Sequence, residues 1–197
     1  MKQRPEGLSF LVLWLLYLFF LPPCADGDES ARMPAWGEGK CEVIIFSDYF
    51  CRPCQMLEGE LEPVLRALLT RGRIRLVFVD LPLYRLTPLY NRYFLSATSA
   101  RSDYEAAFSV RRLLFDLAGR FACVKEAHLE REFRARKIPL ARIDPRPAQA
   151  AMADLARQYN ITSTPAGVID CPGRPLRILR GGQEIMSALR PMWVQGD

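Results

Sequence analysis

The run Cys41-Glu42-Val43-Ile44-Ile45-Phe46-Ser47-Asp48-Tyr49-Phe50-Cys51-Arg52-Pro53-Cys54-Gln55 sets an apolar segment directly against a C-x-x-C pair. Residues Cys41 to Ser47 are short, β-branched and apolar, the pattern of a buried strand. Beyond the pair, Leu57, Leu61, Val64, Leu65 and Leu68 recur at helical spacing, which predicts an amphipathic helix with one buried face, bent at Pro63. Gly72 closes that helix, and Ile74-Arg75-Leu76-Val77-Phe78-Val79-Asp80 reads as a second buried strand. Strand, helix and strand at this spacing form a βαβ unit and require parallel pairing.

The pair therefore falls at a strand-to-helix junction. A helix N-terminus presents unpaired backbone N–H groups and the positive end of the macrodipole, so it stabilises a thiolate at Cys51. Arg52 adds positive potential there, and Cys54 sits one turn on, within reach of a mixed disulfide formed at Cys51. Pro53 restricts the backbone at a position where the first turn needs no donor. A structural bridge across two residues would close a tiny loop and stabilise little. Zinc needs four ligands, and Cys123 with His128 is the set on offer, in a spacing that prearranges nothing. Redox chemistry at Cys51 and Cys54 is the reading that the context favours, with no metal and no cofactor beyond the cysteine pair.

Toward the N-terminus, Lys2 and Arg4 precede an unbroken apolar run from Leu8 to Leu21, followed by Pro22 and Pro23. This is the order of a secretory signal, and the run is short against the about 20 residues of a bilayer span. Residues 1–25 are read as a signal peptide or a membrane anchor, which places the protein outside the cytoplasm, in a periplasm or an equivalent compartment. Six cysteines suit an oxidising compartment, and without Cys24 an odd set of five remains. Residues 26–39, polar with Gly and Pro, read as a linker. The net charge of +5 is spread along the chain, the basic stretch Arg131 to Arg146 reads as a solvated helix face, and no partner nucleic acid is implied.

Toward the C-terminus, residues from Leu81 to about Pro147 show no strand pattern. Helices are predicted at Leu89–Ala100, Tyr104–Ala118, Phe121–Arg136 and from Pro147 to Tyr159. Ala166–Asp170 and Leu176–Leu179 read as a hairpin, and Gly181-Gly182 leads into a last helix that ends before Pro191. Residues 40–192 thus form one α/β domain with a helical insertion at about 84–146, and 193–197 a short tail.

Three features together resemble the thioredoxin superfamily, and within it the DsbA-like thiol oxidoreductases. They are Phe46-Ser47-Asp48-Tyr49-Phe50-Cys51-Arg52-Pro53-Cys54, the Thr164-Pro165 pair before a predicted strand, and the Gly181-Gly182 turn before the last helix. The resemblance implies a thioredoxin-like fold with a central sheet of about four strands. It implies a cis Pro165 lying against Cys51 and Cys54, and a Thr164 backbone offered to an extended substrate strand. Arg52 and Pro53, between the cysteines, belong to the same substrate-facing surface. Partners would be cysteine-containing protein substrates and a redox partner protein that resets the pair. Proline before the second cysteine occurs in reducing members and the helical insertion in oxidising ones, so the direction of exchange stays open.

One departure stands out. Members of the superfamily often carry a buried acid six residues before the first cysteine, and here Ile45 occupies that place. This leaves open a second class of function, a non-catalytic module that holds extended peptides in the Pro165 groove. In a thioredoxin-like sheet the strand after the proline runs antiparallel beside the strand leading to Cys51. Cys41 and Cys171 would then face each other, either as a structural disulfide or as two small buried hydrophobes. Cys123 reads as a buried thiol, His128 as a surface residue, and Tyr49 and Phe50 each as either core or substrate contact.

Overall fold

The computed structural model describes residues 33–120 and 125–194. The leader expected at 1–25, with Cys24, lies outside the described residues, as does Cys123. In chain order the elements are β1 (Ala35–Trp36), β2 (Cys41–Ser47), α1 (Arg52–Thr70), β3 (Ile74–Asp80), α2 (Thr87–Ala100), α3 (Tyr104–Arg120), α4 (Glu126–Ala135), α5 (Arg146–Gln158), β4 (Ala166–Asp170), β5 (Arg177–Arg180) and α6 (Gly182–Val194). The sheet has the order β1-β3-β2-β4-β5. Strands β2 and β3 are parallel, with Ile45 opposite Phe78, and every other pairing is antiparallel. The chain is α/β with a thioredoxin-like fold and a helical insertion, as expected.

Both faces of the sheet are covered, which is why β2 and β3 read as nearly unbroken apolar runs. On one face Val43, Ile45, Leu76 and Phe78 pack against Leu61, Leu65 and Leu68 of α1, with Phe94, Phe108 and Ile185 from the insertion and α6. On the other, Ile44, Phe46, Val77, Val79 and Val168 pack against Ala148, Met152 and Ala156 of α5. The alternation within a strand distributes residues between the two cores.

Four expectations need correction. The sheet has five strands rather than four, because part of the expected linker belongs to it. Trp36 on β1 is buried against Phe78 and Phe94, ring centroids 5.7 and 6.0 Å away, and its Nε1 donates to Ser102 O at 3.0 Å. A Cβ at Gly39 would stand 2.1 Å from Arg73 C and Ile74 N, so this glycine lets the segment lie on the β3 backbone. Polar composition hid a two-residue strand anchored by a single aromatic ring. The second hairpin strand begins at Arg177, one residue later than expected. The last helix continues through Pro191 to Val194, where a proline near the C-terminal end disturbs little of the ladder. The third insertion helix, expected over Phe121–Arg136, runs as α4 from Glu126 to Ala135, preceded by an extended Lys125; residues 121–124 lie outside the described residues.

His128, expected at the surface, is half-buried on α4, its Nδ1 2.6 Å from Arg131 Nη2. Cys41 and Cys171 lie at the far end of β2 and β4 from Cys51, just past the Glu42–Asp170 pair, with their sulfurs bonded at 2.11 Å.

Removing the Trp36 ring leaves a cavity at the sheet edge. Trp36→Ala should lower stability by about 3 kcal/mol, read from the midpoint of urea denaturation.

Candidate active site

The turn Asp48–Cys51 carries the chain from β2 into α1, and Cys51 caps the helix. Its backbone is extended, with φ −74° and ψ 112°, and its sulfur accepts from Cys54 N at 3.4 Å. Pro53 occupies the first turn, where its missing N–H leaves no bond unmade. Cys51 and Cys54 are both reduced and buried, and Cys54 Sγ stands 2.8 Å from Cys51 Sγ. Arg52 is exposed beside them.

The loop before β4 closes over this pair. The Thr164–Pro165 peptide is cis, and Cys51 Sγ donates to Thr164 O at 3.4 Å. Residues more than 110 positions apart in sequence are thus in contact at the sulfur. Thr164 Oγ1 is buried there, close to the Cys54 thiol. Tyr49 and Phe50 differ in burial. Tyr49 is wholly buried against Tyr90 and Phe115, while half-buried Phe50 packs on Tyr90 and meets the exposed Tyr84.

Burial pushes the Cys54 thiol up from the ordinary 9.0 to about 12, and its hydrogen bond with Cys51 adds to the rise. Hydrogen bonds from Thr164 and the Asp48 backbone act in the opposite direction. None of these leading influences is a carboxylate. Ile45 is buried in the same core cluster as the pair, so that position brings no charge to Cys54.

Acids are present below the turn, but they answer to a different partner. Arg111 on α3 is completely buried, with its guanidinium 3.9 Å above the Phe78 ring and 5.0 Å from the Phe115 ring centroid. Its Nε and Nη2 donate to Glu58 Oε1 and Oε2 at 2.8 and 2.9 Å, and Nη2 also donates to Ser47 Oγ at 3.1 Å. Asp80 Oδ1 lies 3.8 Å from Nη1, and Asp80 Oδ2 accepts from Tyr49 Oη at 2.7 Å and Asn91 Nδ2 at 2.9 Å. Burial raises the Asp80 carboxyl despite the guanidinium beside it, and raises the Tyr49 phenol further, with Asp80 adding to that rise. Burial works against the Arg111 charge as well, yet the Glu58 carboxylate holds its pKa above the ordinary value.

Sequence reading placed Cys51, Cys54, Arg52, Pro53, Thr164 and Pro165 and missed this cluster. A signal existed. Glu58 follows Cys54 by one turn on the stripe that contains Leu61 and Leu65, and Arg111 shares a stripe with Phe108, Leu114 and Phe115. A charged residue on the apolar face of a helix indicates a buried partner.

No family model matches the sequence, and no curated protein does. Solved structures do resemble it. The catalytic domain of Proteus mirabilis ScsC is 20% identical with a TM-score of 0.60, over 84% of this chain and 92% of that one. A periplasmic thioredoxin-like protein from Salmonella enterica serovar Typhimurium is 16% identical with a TM-score of 0.60, over 98% of this chain and all of that one. The thiol-disulfide exchange protein alpha-DsbA2 from Wolbachia pipientis is 15% identical with a TM-score of 0.54, over 93% and 92% of the two chains. The structural neighbours are DsbA-like proteins, and the shared feature at this identity is the fold.

Two measurements follow from the site. In a Cys51→Ser variant, alkylation of Cys54 by iodoacetamide should keep accelerating as pH rises past 9 instead of levelling there, because burial withholds the thiolate. Arg111→Met should cost about 3–5 kcal/mol in chemical denaturation, since it strands two buried acids, and adding Glu58→Leu should recover part of that loss.

Proposed function

We propose that the protein is an extracytoplasmic thiol–disulfide oxidoreductase that exchanges disulfides with cysteine-containing proteins through Cys51 and Cys54. The observation that carries this reading is a helix N-terminal sulfur, Cys51 Sγ, that meets both Cys54 Sγ at 2.8 Å and the Thr164 carbonyl at 3.4 Å. In the reducing direction, the Cys51 thiolate attacks a substrate disulfide, forming a Cys51–substrate bond and releasing one substrate thiolate. Cys54 then loses its proton and attacks Cys51 Sγ, releasing the second substrate thiolate and leaving a Cys51–Cys54 disulfide. Two electrons pass to the substrate, and the oxidising direction reverses each step. The pair itself serves as the redox group, and a partner protein resets it after each turnover.

Thr164 and Pro165 line the place where an extended substrate strand would lie, in the β-augmentation mode. Arg52 and Pro53 contribute the opposite edge. The oxidising compartment is supported by the signal-like order of residues 1–25, the bonded Cys41–Cys171 pair, and a structural neighbour described as periplasmic. Among the described residues no helix is long and apolar enough to cross a membrane; if the leader is retained, the apolar run Leu8 to Leu21 is the anchor.

One observation favours a second reading, a peptide-binding module without turnover: Ile45, not an acid, shares the core cluster of the pair, and burial pushes the Cys54 thiol up to about 12. Turnover separates the two. Insulin reduction and oxidation of a dithiol peptide should proceed in at least one direction with the wild type and stop with Cys51→Ala, and equal rates for the two proteins would overturn the enzyme reading. The reduction potential assigns the direction, about −120 mV marking an oxidant and about −270 mV a reductant.

A further inference from the structure

The β3–α2 loop lies against the active-site turn, and one carboxylate joins the two. Asp48, fully buried three residues before Cys51, is not part of the Arg111 cluster just described. Its Oδ1 accepts from Phe50 N at 2.8 Å. Its Oδ2 accepts from Leu83 N at 3.0 Å, Tyr84 N at 3.3 Å and Thr87 Oγ1 at 2.6 Å. Its own carbonyl accepts from Cys51 N at 3.1 Å. A buried carboxylate needs such donors, and these come from both segments at once, so the loop cannot shift without leaving a charge unsatisfied.

The effect is to hold two apolar side chains out in solvent. Leu83 is 47% exposed and Tyr84 50% exposed. The Tyr84 ring lies 6.2 Å from that of Phe50, the residue before Cys51, so Tyr84 continues directly from the turn that carries the reactive sulfur, and Leu83 is tied to that turn by its backbone N–H. Arg52 and Arg85, which follow Cys51 and Tyr84, are exposed and make no ion pair among the described residues. Exposed apolar side chains and exposed cations thus follow one another in the two joined segments, a combination complementary to an apolar segment that carries an acid.

We propose that Asp48 is a positioning residue that fixes Leu83 and Tyr84 as an apolar wall beside Cys51. The wall selects protein segments with an apolar side chain next to the reacting cysteine and an acidic residue close by. This rests on the oxidoreductase reading above. Covering part of one large apolar side chain is worth about tenfold in rate when it is made on approach to the mixed disulfide.

The test uses the reduced full chain and two symmetrical peptide disulfides. In one the cysteine lies between leucine and tryptophan with an aspartate outside them; in the other it lies between serines with a lysine. The reaction is the reducing sequence given above, and each rate is divided by that of the same peptide with dithiothreitol, which removes differences in thiol reactivity. The wild type should favour the first peptide by about tenfold. Leu83→Ser/Tyr84→Ser should reduce that preference to below about twofold, as should Asp48→Asn, which turns an amide N–H₂ toward N–H donors. Thr87→Val, which removes one donor and keeps the shape, should lower the preference partway, and it decides the role of Asp48 if Asp48→Asn does not fold. A wild type without preference, or a preference that survives Leu83→Ser/Tyr84→Ser, overturns the wall. So does a preference abolished by high salt alone, since apolar contact is not screened. An unchanged preference in Asp48→Asn or Thr87→Val overturns the positioning role. Failure of the wild type to react with either peptide or with oxidised glutathione overturns the oxidoreductase reading, and this inference with it.

Discussion

The buried guanidinium of Arg111 is the constraint on which the region beneath the active site depends. It comes from the helical insertion, yet it bonds bidentately to Glu58 on α1, touches Ser47 at the end of β2, and stands beside Asp80 at the end of β3. Four elements therefore meet at one cation, directly below the turn that carries Cys51. Phe78 and Phe115 enclose it, so the ring faces add cation–π attraction while excluding water. An arrangement of this kind contributes little net stability compared with an apolar core. Its consequence is geometric: any other docking of α3 on α1 would leave a charge buried and unpaired.

That constraint also accounts for the chemistry available to the cysteines. Glu58 and Asp80 are committed to Arg111, Tyr49 and Asn91, and Asp48 is committed to Phe50 N of its own turn and to three donors of the segment from Leu83 to Thr87. Three acids are buried around the active-site turn, and each is occupied in holding the scaffold. Cys54 is accordingly left to burial and to hydrogen bonds from Thr164 and the Asp48 backbone. The chain invests its buried charge in fixing where the turn lies, and Ile45, in the same core cluster as the cysteines, brings none to the second thiol.

The two ends of β2 are tied by different means. At one end the Arg111 cluster and the Asp48 contacts locate the turn that carries Cys51; at the other the bonded pair Cys41–Cys171 joins β2 to β4 beyond the Glu42–Asp170 pair. The strand that leads into Cys51 is thereby held along its whole length, with Trp36 and β1 covering the edge of its neighbour β3.

Much of this was legible from local pattern. Apolar periodicity located β2, α1 and β3, because a strand covered on both faces and an amphipathic helix leave different spacings in the chain. The C-x-x-C pair at their junction, and Thr164-Pro165 before β4, are short-range signals whose meaning depends on the elements beside them. Strand β1 was not legible, because two residues carry no period and one buried tryptophan does the anchoring. Partnership between side chains distant in sequence was not legible either. Glu58 and Arg111 each showed as a charge on an apolar stripe, but only their meeting across 53 positions made each the other's counterion. Asp48 looked like one more polar residue near a turn until the fold brought Leu83, Tyr84 and Thr87 to its oxygens. The sequence by itself determined which segments are strand and helix and where the sulfurs sit, since those follow from local spacing and backbone preference. Only the tertiary structure decided which charges pair and what surrounds the sulfurs, because hydrogen bonds and burial depend on distance in space.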